Sequence, residues 1–226
     1  MKSVSFRGKE IKYNSGDDFW NGLYGWEEKT FDILDKYIGK DSVFFDIGAY
    51  NGVLSIYASM LGAKCVCFEP DKTAFDQLTE NLELNNTNAI CYNVAVSDTD
   101  GVENLSNQSD KYGDSMSSLI QRNGFPEGYS VDTTKLESFM QYCNTKPTFI
   151  KIDTEGAEIK IIPSSVYILR ELDCPLYLSL HPFWFPDREE NLSEIYEALI
   201  QVYKLDYIKS DFLKLTSSCE LLLLPK

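Results

Sequence analysis

Basic residues, histidine and long apolar runs are scarce in this sequence. Its 226 residues include one histidine, and its 21 lysines and arginines face 35 acidic side chains, a formal net charge of −14. Because such a chain repels phosphate backbones and anionic lipid, neither nucleic acid nor a membrane surface is expected as a partner. No apolar run approaches the roughly 20 residues that span a bilayer, and the first residues lack the apolar core of a signal peptide.

Cysteine spacing excludes the common metal-binding and redox motifs. The six cysteines form no C-x-x-C pair, and three of them fall in predicted strands, where cysteine acts as a small apolar residue. We therefore expect reduced cysteines in a cytoplasmic protein. A chain of this length buries roughly 70% of its unfolded surface, so one domain can fold without crosslinks.

What the sequence does contain is a buried strand followed at once by a glycine turn and a helix. The run VFFDI at residues 43–47 favours a strand, and apolar residues recur at helical spacing over 53–61. Gly48 and Gly52 lie between them. Glycine allows a sharp turn and close approach of a ligand to the backbone, and the helix behind the turn offers free N–H groups.

Two acids narrow the ligand that such a turn could bind. Glu69 ends a second strand, 64–68, and lies 21 residues after Gly48, the spacing at which an acid reaches the ribose hydroxyls of a nucleotide. The Gly-x-x-x-Gly turn lacks the third glycine that seats a pyrophosphate, and Asp46 at the strand end suits an ammonium group instead. This combination favours S-adenosylmethionine. The alternative is a glycine turn without a ligand in some other α/β domain.

The N-terminal part of the chain is predicted to cover this unit. Residues 1–16 form a small hairpin or stay partly loose, and apolar residues at helical spacing over 17–38 predict one or two helices. Their aromatic side chains either pack on the sheet or form a lid over the cofactor, with Trp26 and Glu27 nearest to it.

Beyond the second strand, the sequence predicts residues that line the cofactor pocket and a long polar insertion. A third strand, 88–96, places Ala95 and Val96 beside an adenine ring. The segment 100–127 is rich in turn residues and indicates turns plus a hairpin, and a loop of this length suggests contact with the substrate. The other predicted helices are 71–85, 136–143, 156–169 and 189–202, and the other predicted strands are 131–136, 147–156, 175–180, 203–209 and 220–224.

Charged residues at the end of the 147–156 strand are candidates for chemistry. Lys151, Asp153 and Glu155 alternate onto one face if the strand continues, and ligands in open α/β sheets lie outside the carboxyl ends of the strands. The alternative is an ion pair of Lys151 with one of the acids, which only holds the strand end. His181 ends the next strand at the same crevice and is also a candidate for chemistry. The alternative for His181 is a purely structural role.

These motifs together resemble the FkbM family of S-adenosylmethionine-dependent methyltransferases. The resemblance covers about residues 24–185, and it rests on FDIGAYNG at 45–52, FEPD at 68–71, NVAVSD at 93–98, IKIDTEGAE at 150–158 and LSLHP at 178–182. It implies a Rossmann-like seven-stranded, mostly parallel sheet with an antiparallel last strand, helices on both faces, and methyl transfer to oxygen, often on sugar or polyketide hydroxyls. An extra hairpin is expected near 100–135.

The resemblance also implies a set of cofactor contacts. Asp46, Gly48 and Gly52 match the motif around the methionine part of the cofactor, and Glu69 matches the ribose-binding acid. Family members often have Asn-Ile where this chain has Tyr50 and Asn51, which changes the pocket mouth. The full predicted set is Asp46, Gly48, Ala49, Asn51, Gly52, Glu69, Pro70, Ala95, Val96 and Asp153.

The predicted catalytic residues are His181, Asp153 and Glu155. An alcohol must lose its proton as it attacks the methyl group, and an unperturbed histidine has a suitable pKa. Either acid could accept the proton if burial raises its pKa, and a divalent ion held by Asp153 and His181 is another route. Because the sequence shows no complete ligand set, no metal is predicted.

The sequence therefore predicts an O-methyltransferase that acts on a small molecule or a saccharide, with S-adenosylhomocysteine as product. We expect one domain over 1–226, with a helical lid or extension over 1–40 and a Rossmann-like core over 41–226. A nicotinamide-dependent oxidoreductase and a non-catalytic protein that keeps the fold are the alternatives. Nothing in the sequence indicates the oligomeric state.

Overall fold

The structure is a computed structural model that describes residues 1–14, 20, 23, 28–107, 113, 115–122, 124–126 and 128–226. The predicted lid residues Trp26 and Glu27 lie outside these ranges. Among the residues that are described, no helix is long and apolar enough to cross a membrane.

A seven-stranded sheet forms the centre of the fold. Its order is β11-β12-β10-β9-β3-β4-β5, and β12 alone runs antiparallel to its neighbours. This is the mostly parallel sheet that the sequence predicts. The strands are β3 (Val43–Ile47), β4 (Lys64–Phe68), β5 (Ala89–Tyr92), β9 (Phe149–Ile152), β10 (Leu176–Leu180), β11 (Tyr203–Lys204) and β12 (Cys219–Pro225).

Helices cover both faces of this sheet, which explains why its central strands are almost wholly apolar. One apolar core joins β10 to the helices α5, α6 and α7, and the other joins β3 and β4 to α1, α2 and α3. The helices are α1 (Glu28–Tyr37), α2 (Val53–Met60), α3 (Lys72–Leu84), α4 (Leu136–Tyr142), α5 (Glu158–Ser164), α6 (Val166–Leu172), α7 (Arg188–Val202) and α8 (Lys209–Phe212).

The N-terminal segment begins with a β-hairpin, and the helix α1 follows it along the chain. Strands β1 (Lys2–Phe6) and β2 (Lys9–Tyr13) pair antiparallel and pack on the core beside α1 and α2. The hairpin is one of the two forms predicted for residues 1–16, and α1 lies within the helical stretch predicted over 17–38. A lid role for residues 1–40 stays a prediction. Trp20 and Leu23 are fully buried in the same core.

The predicted third strand, 88–96, is two strands in two sheets. After β5 the chain bends at Asn93, whose side-chain amide donates to the carbonyls of Glu69 and Pro70. Residues Ala95–Ser97 then form β6, which joins a second sheet of order β6-β8-β7. The other two strands, β7 (Gly101–Leu105) and β8 (Tyr129–Lys135), form the hairpin expected near 100–135.

The predicted bounds of one helix and one strand are also wrong. The helix expected over 156–169 is broken into α5 and α6, with Pro163 in the last turn of α5. The strand expected over 203–209 covers only Tyr203–Lys204, and α8 separates it from β12. The antiparallel pairing of these last strands is as predicted.

Candidate active site

A cavity of about 260 Å³ opens at the carboxyl ends of β3, β4 and β9. Parallel strands end at one edge of their sheet, so the residues that follow each strand meet there. Most of the predicted cofactor contacts line this cavity: Asp46, Gly48, Ala49, Asn51, Glu69, Pro70, Ala95, Val96 and Asp153. Glu155 lines it as well.

The turn after β3 packs directly against the end of β9. Gly48 has a left-handed φ of 79°, and its backbone N–H donates to the carbonyl of Phe68 over 3.0 Å. A Cβ atom at this position would lie 1.8 Å from the carbonyl oxygen of Asp153. Gly48 is thus required for the close approach of two strand ends as well as for the backbone angle.

Gly52 has a packing role that the sequence does not predict. It does not line the cavity, and a Cβ atom there would lie 2.6 Å from Cδ1 of Leu78 in α3. Its left-handed φ of 89° immediately precedes α2. The second glycine of the turn therefore allows the start of α2 to pack closely on α3. A contact of Gly52 with the cofactor stays a prediction.

The carboxylate of Asp46 is bonded by other side chains of the protein. Its carboxylate accepts from the Ser55 hydroxyl over 2.6 Å and from Nζ of Lys151 over 3.1 Å, and all but 1% of the residue is buried. The Lys151 ammonium also donates to the Gly48 carbonyl over 2.8 Å and lies 3.5 Å from Asp153. The ion pair considered as an alternative for Lys151 is therefore present. Direct binding of an ammonium group by Asp46 stays a prediction.

Glu69 lies at the end of β4 with both carboxylate oxygens engaged. They accept from the backbone N–H groups of Tyr50 and Asp71, each over 2.8 Å. Burial raises the pKa of Glu69 to about 7, with a smaller contribution from the negative charge of Asp71, although the two N–H donors and Lys151 oppose the shift. A carboxylate oxygen can accept more than one hydrogen bond, so ribose hydroxyls remain suitable partners.

The three predicted catalytic side chains converge beside the cavity. Nε2 of His181 lies 3.7 Å from Oδ1 of Asp153 and 3.5 Å from Oε1 of Glu155. The single strand face predicted for Lys151, Asp153 and Glu155 does not form, because β9 ends at Ile152 and Glu155 has a left-handed φ of 53°. The two acids line the cavity, and His181 is 6% exposed.

Glu158 completes this group and is absent from the predicted set. Its buried Oε1 lies 3.4 Å from Nδ1 of His181 and also accepts from the backbone N–H groups of Thr154 and Gly156. The only signal in the sequence is its place in the IKIDTEGAE motif, where it begins α5. No local pattern indicates that this acid contacts a histidine 23 residues away.

His181 does not have the unperturbed pKa expected from sequence. Burial lowers its pKa, but the hydrogen bond and charge of Glu158 and the charges of Asp153 and Glu155 outweigh burial and raise it to about 9. The carboxylates around His181 favour the protonated imidazole, and the role of His181 as the base stays a prediction. Burial also raises the pKa of Glu155.

Comparison with known proteins identifies the family. The family model named methyltransferase FkbM domain matches residues 46–208, which contain β3, β4, β9 and β10 and every acid described above. The chain belongs to the FkbM methyltransferase family. This membership indicates S-adenosylmethionine as the cofactor and argues against the nicotinamide alternative.

Curated and solved proteins are similar to this chain over different lengths. The chain is 36% identical over 81 residues to the ribosomal protein L11 methyltransferase of Clostridium perfringens, covering 35% of this chain and 26% of that enzyme. The chain thus spans about a quarter of the length of the curated relatives that it matches. The fibrillarin/Nop5p complex aligns with 99% of this chain and 97% of its own at a TM-score of 0.56 and 10% identity.

The putative methyltransferase SMU.1697c of Streptococcus mutans, solved in complex with S-adenosylhomocysteine, aligns with 88% of this chain and 97% of its own. The TM-score is 0.51 and the identity 12%. At these identities the two structural neighbours show the fold alone. That fold is the methyltransferase architecture that the sequence predicts.

The residues of this FkbM-family cavity fit the cofactor. Asn51 is fully buried and lines the cavity, yet neither its Nδ2 nor its Oδ1 has a hydrogen-bond partner among the parts of the chain that are described. Buried amide groups are nearly always paired, so these atoms indicate a polar ligand. The amino acid end of S-adenosylmethionine offers both donors and acceptors to them, and Glu69 faces the same cavity.

We expect the affinity for S-adenosylhomocysteine to rise between pH 6 and pH 8. With a pKa of about 7, Glu69 is ionised in about one molecule in ten at pH 6 and in most molecules at pH 8. Two ribose hydroxyls donate best to the ionised form, so binding should strengthen by about tenfold across this range. Calorimetry at several pH values measures it, and Glu69→Gln should flatten the dependence. An equally steep profile in the variant would contradict this role.

Proposed function

We propose that this protein transfers the methyl group of S-adenosylmethionine to a hydroxyl oxygen of a small molecule or a saccharide. The observation that carries the proposal is the convergence of Asp153, Glu155 and His181 at the cavity edge beside the Gly48 turn. Methyl transfer to an alcohol needs its oxygen held in line and its proton removed, and polar groups at this edge can do both.

The cofactor supplies a methyl group already activated by a positively charged sulfur. Asn51 and Glu69 are proposed to hold its two ends, and Lys151 fixes the carboxylates of Asp46 and Asp153 on either side of the turn. Asp153 and Glu155 then face the acceptor, so the forming oxygen–carbon bond and the departing hydroxyl proton lie next to carboxylates.

A neutral acceptor suits the charge of this site. Asp153, Glu155 and Glu158 surround His181, and the whole chain has a formal net charge of −14. An anionic acceptor would meet repulsion both at long range and inside the cavity. The name of the Clostridium perfringens relative points to a ribosomal protein as acceptor. The charge weighs against RNA, and a cationic protein remains the second candidate.

Two further parts of the proposal concern the whole chain. We propose that residues 1–226 form one domain, because the N-terminal hairpin shares its core with α1, α2 and α3. We also propose a cytoplasmic location, since all six cysteines are free and three of them are buried. Reduced cysteines are the rule in that compartment.

The test uses a methyl-labelled cofactor and a panel of acceptors. The purified protein is incubated with ¹³C-methyl S-adenosylmethionine and with monosaccharides, glycosides, phenols, lysine-rich peptides or short RNAs. We expect release of S-adenosylhomocysteine with an alcohol, and the carbon shift of the product distinguishes a methyl on oxygen from one on nitrogen. Transfer only to the peptides or to RNA would replace the proposal.

Glu155→Gln should separate catalysis from cofactor binding. We expect turnover of the best alcohol to fall by roughly 10²–10⁴-fold, because a carboxylate beside the acceptor proton is lost. The affinity for S-adenosylhomocysteine should change little, since this side chain bonds Trp184 and His181 rather than the Gly48 turn. Glu189→Gln, at the exposed start of α7, is the matched control. An unchanged turnover in Glu155→Gln would remove Glu155 from the reaction.

A further inference from the structure

Three potential metal-ligand atoms meet at the cavity edge. Nε2 of His181 and one oxygen each of Asp153 and Glu155 all lie within 4.8 Å of one another. The sequence alone predicts no metal because Asp153 and His181 are too few ligands. The structure supplies the third, because Oε1 of Glu155, a residue with a left-handed φ of 53°, lies 3.5 Å from Nε2 of His181.

The spacing of these atoms suits a single cation. Two ligand atoms that are each about 2.1 Å from one metal ion, at a tetrahedral angle, are about 3.4 Å apart. The two contacts of His181 Nε2, 3.5 Å to Glu155 and 3.7 Å to Asp153, are close to that value. Catalytic zinc sites use three such protein ligands and leave a fourth position for water or substrate.

A second observation, independent of the three ligands, concerns the other nitrogen of the imidazole. Nδ1 of His181 lies 3.4 Å from Oε1 of Glu158, a side chain with no exposed surface. Histidines that bind metals almost always donate this second N–H to a carboxylate or a carbonyl, which fixes the tautomer and aims the remaining nitrogen at the metal. Glu158 is held in turn by Thr154 and by the N–H of Gly156.

Neighbouring residues hold Glu155 in this arrangement. Its Oε2 accepts from Nε1 of Trp184 over 3.3 Å, and its backbone carbonyl accepts from the Arg122 guanidinium over 3.0 Å. The guanidinium in turn lies 4.2 Å from the ring centre of Trp184. Oε1 of Glu155 is the atom left facing His181, so the ligand oxygen and the hydrogen-bonded oxygen are different atoms.

We propose that Asp153, Glu155 and His181 bind one divalent transition-metal ion, Zn²⁺ or Mn²⁺, with an open position toward the cavity. Imidazole with two carboxylates suits these ions better than Mg²⁺, which prefers oxygen ligands alone. The inference rests on the proposed function: an alcohol oxygen at the open position loses its proton to water more readily. That oxygen then forms the bond to the methyl carbon as the bond from sulfur to that carbon breaks.

The experiment measures metal binding without using turnover. Protein treated with a chelator and then freed of it is titrated with Mn²⁺, and electron paramagnetic resonance follows the loss of the free-ion signal. We expect one equivalent to bind and Zn²⁺ to displace it. Glu155→Gln and His181→Asn should each weaken binding by at least about tenfold, since even partners of metal ligands cost 10–100-fold when they are mutated.

Controls separate this site from general attraction to an acidic protein. The double variant Glu189→Gln/Glu190→Gln removes two exposed acids at the start of α7 and should bind Mn²⁺ like the parent. Melting curves and S-adenosylhomocysteine binding show which variants are folded. If His181→Asn does not fold, Glu155→Gln still tests the site, because Glu155 is partly exposed. The proposal is overturned if no equivalent binds, or if binding falls as much in the control as in Glu155→Gln.

The metal site and the proposed function can fail separately in these experiments. Methyl transfer to an alcohol by a protein that binds no Mn²⁺ or Zn²⁺ would overturn the metal site and leave the function in place. Specific Mn²⁺ binding by a protein that methylates only nitrogen would overturn the proposed function and leave the metal site in place.

Discussion

Replacing Lys151 by methionine is expected to lower the free energy of unfolding by about 3–5 kcal/mol. The ammonium of Lys151 is the cationic partner of Asp46, and the two side chains are 5% and 1% exposed. Methionine keeps most of the volume but leaves the Asp46 carboxylate buried beside a single hydroxyl donor, Ser55. Removing one partner of a buried ion pair typically costs this much, because the remaining charge is uncompensated. Urea denaturation of the two proteins measures the difference.

Two further variants test the physical cause. Lys160→Met removes a lysine whose ion pairs with Asp98 and Glu103 are more exposed, so its effect should stay within about 1 kcal/mol. The double variant Asp46→Asn/Lys151→Met removes both charges and should recover much of the lost stability. If the double variant were as unstable as Lys151→Met alone, an unpaired buried charge would not be the reason.

The parts of the site that the sequence predicts are those set by local order along the chain. A strand followed by glycine and a helix places Gly48 and Asn51 at a sheet edge, and Glu69 follows by its spacing. Each of these inferences needs only the alternation of strands and helices and the rule that parallel strands end on one side. The family model matches the same stretch of chain.

What the sequence does not predict depends on contacts between distant residues. Glu158 contacts His181 across 23 residues, and Gly52 packs closely on Leu78 in the next helix. The raised pKa of His181 is also missed, because it depends on burial, which lowers the pKa, and on three carboxylates from a separate segment of the chain, which raise it further than burial lowers it. A pattern of residue types carries no information about such pairs until the topology brings them together.

Element boundaries were missed where a side chain competes with the backbone ladder. The predicted third strand is uniform in pattern, but Asn93 donates to two carbonyls at the end of β4, and the chain leaves the sheet there. Local side-chain hydrogen bonds of this kind offer the backbone an alternative to strand pairing. The break moves Ala95 and Val96 into β6, where both still line the cavity.

Gly48→Ala is expected to destabilise the protein by about 2–5 kcal/mol and to weaken S-adenosylhomocysteine binding by at least about tenfold. The new methyl group would lie 1.8 Å from the carbonyl oxygen of Asp153, and the backbone φ of 79° is unfavourable for alanine. The left-handed angle accounts for about 1–2 kcal/mol and the overpacking for about 1–3 kcal/mol. Relief of the clash moves the end of β9 away from the turn, and Asp153 moves with it.

Two other glycines separate these contributions. Gly8 has a similar φ of 75° with nothing within 4 Å of an added Cβ, so Gly8→Ala should show the cost of the backbone angle alone. Gly39 has open space as well and no left-handed angle, so Gly39→Ala should leave stability and ligand binding nearly unchanged. Melting curves and calorimetry on all three variants test the contact between the turn and β9. A Gly48→Ala protein no less stable than Gly8→Ala, and with full affinity, would contradict the close packing that brings the cofactor turn and the acid cluster together.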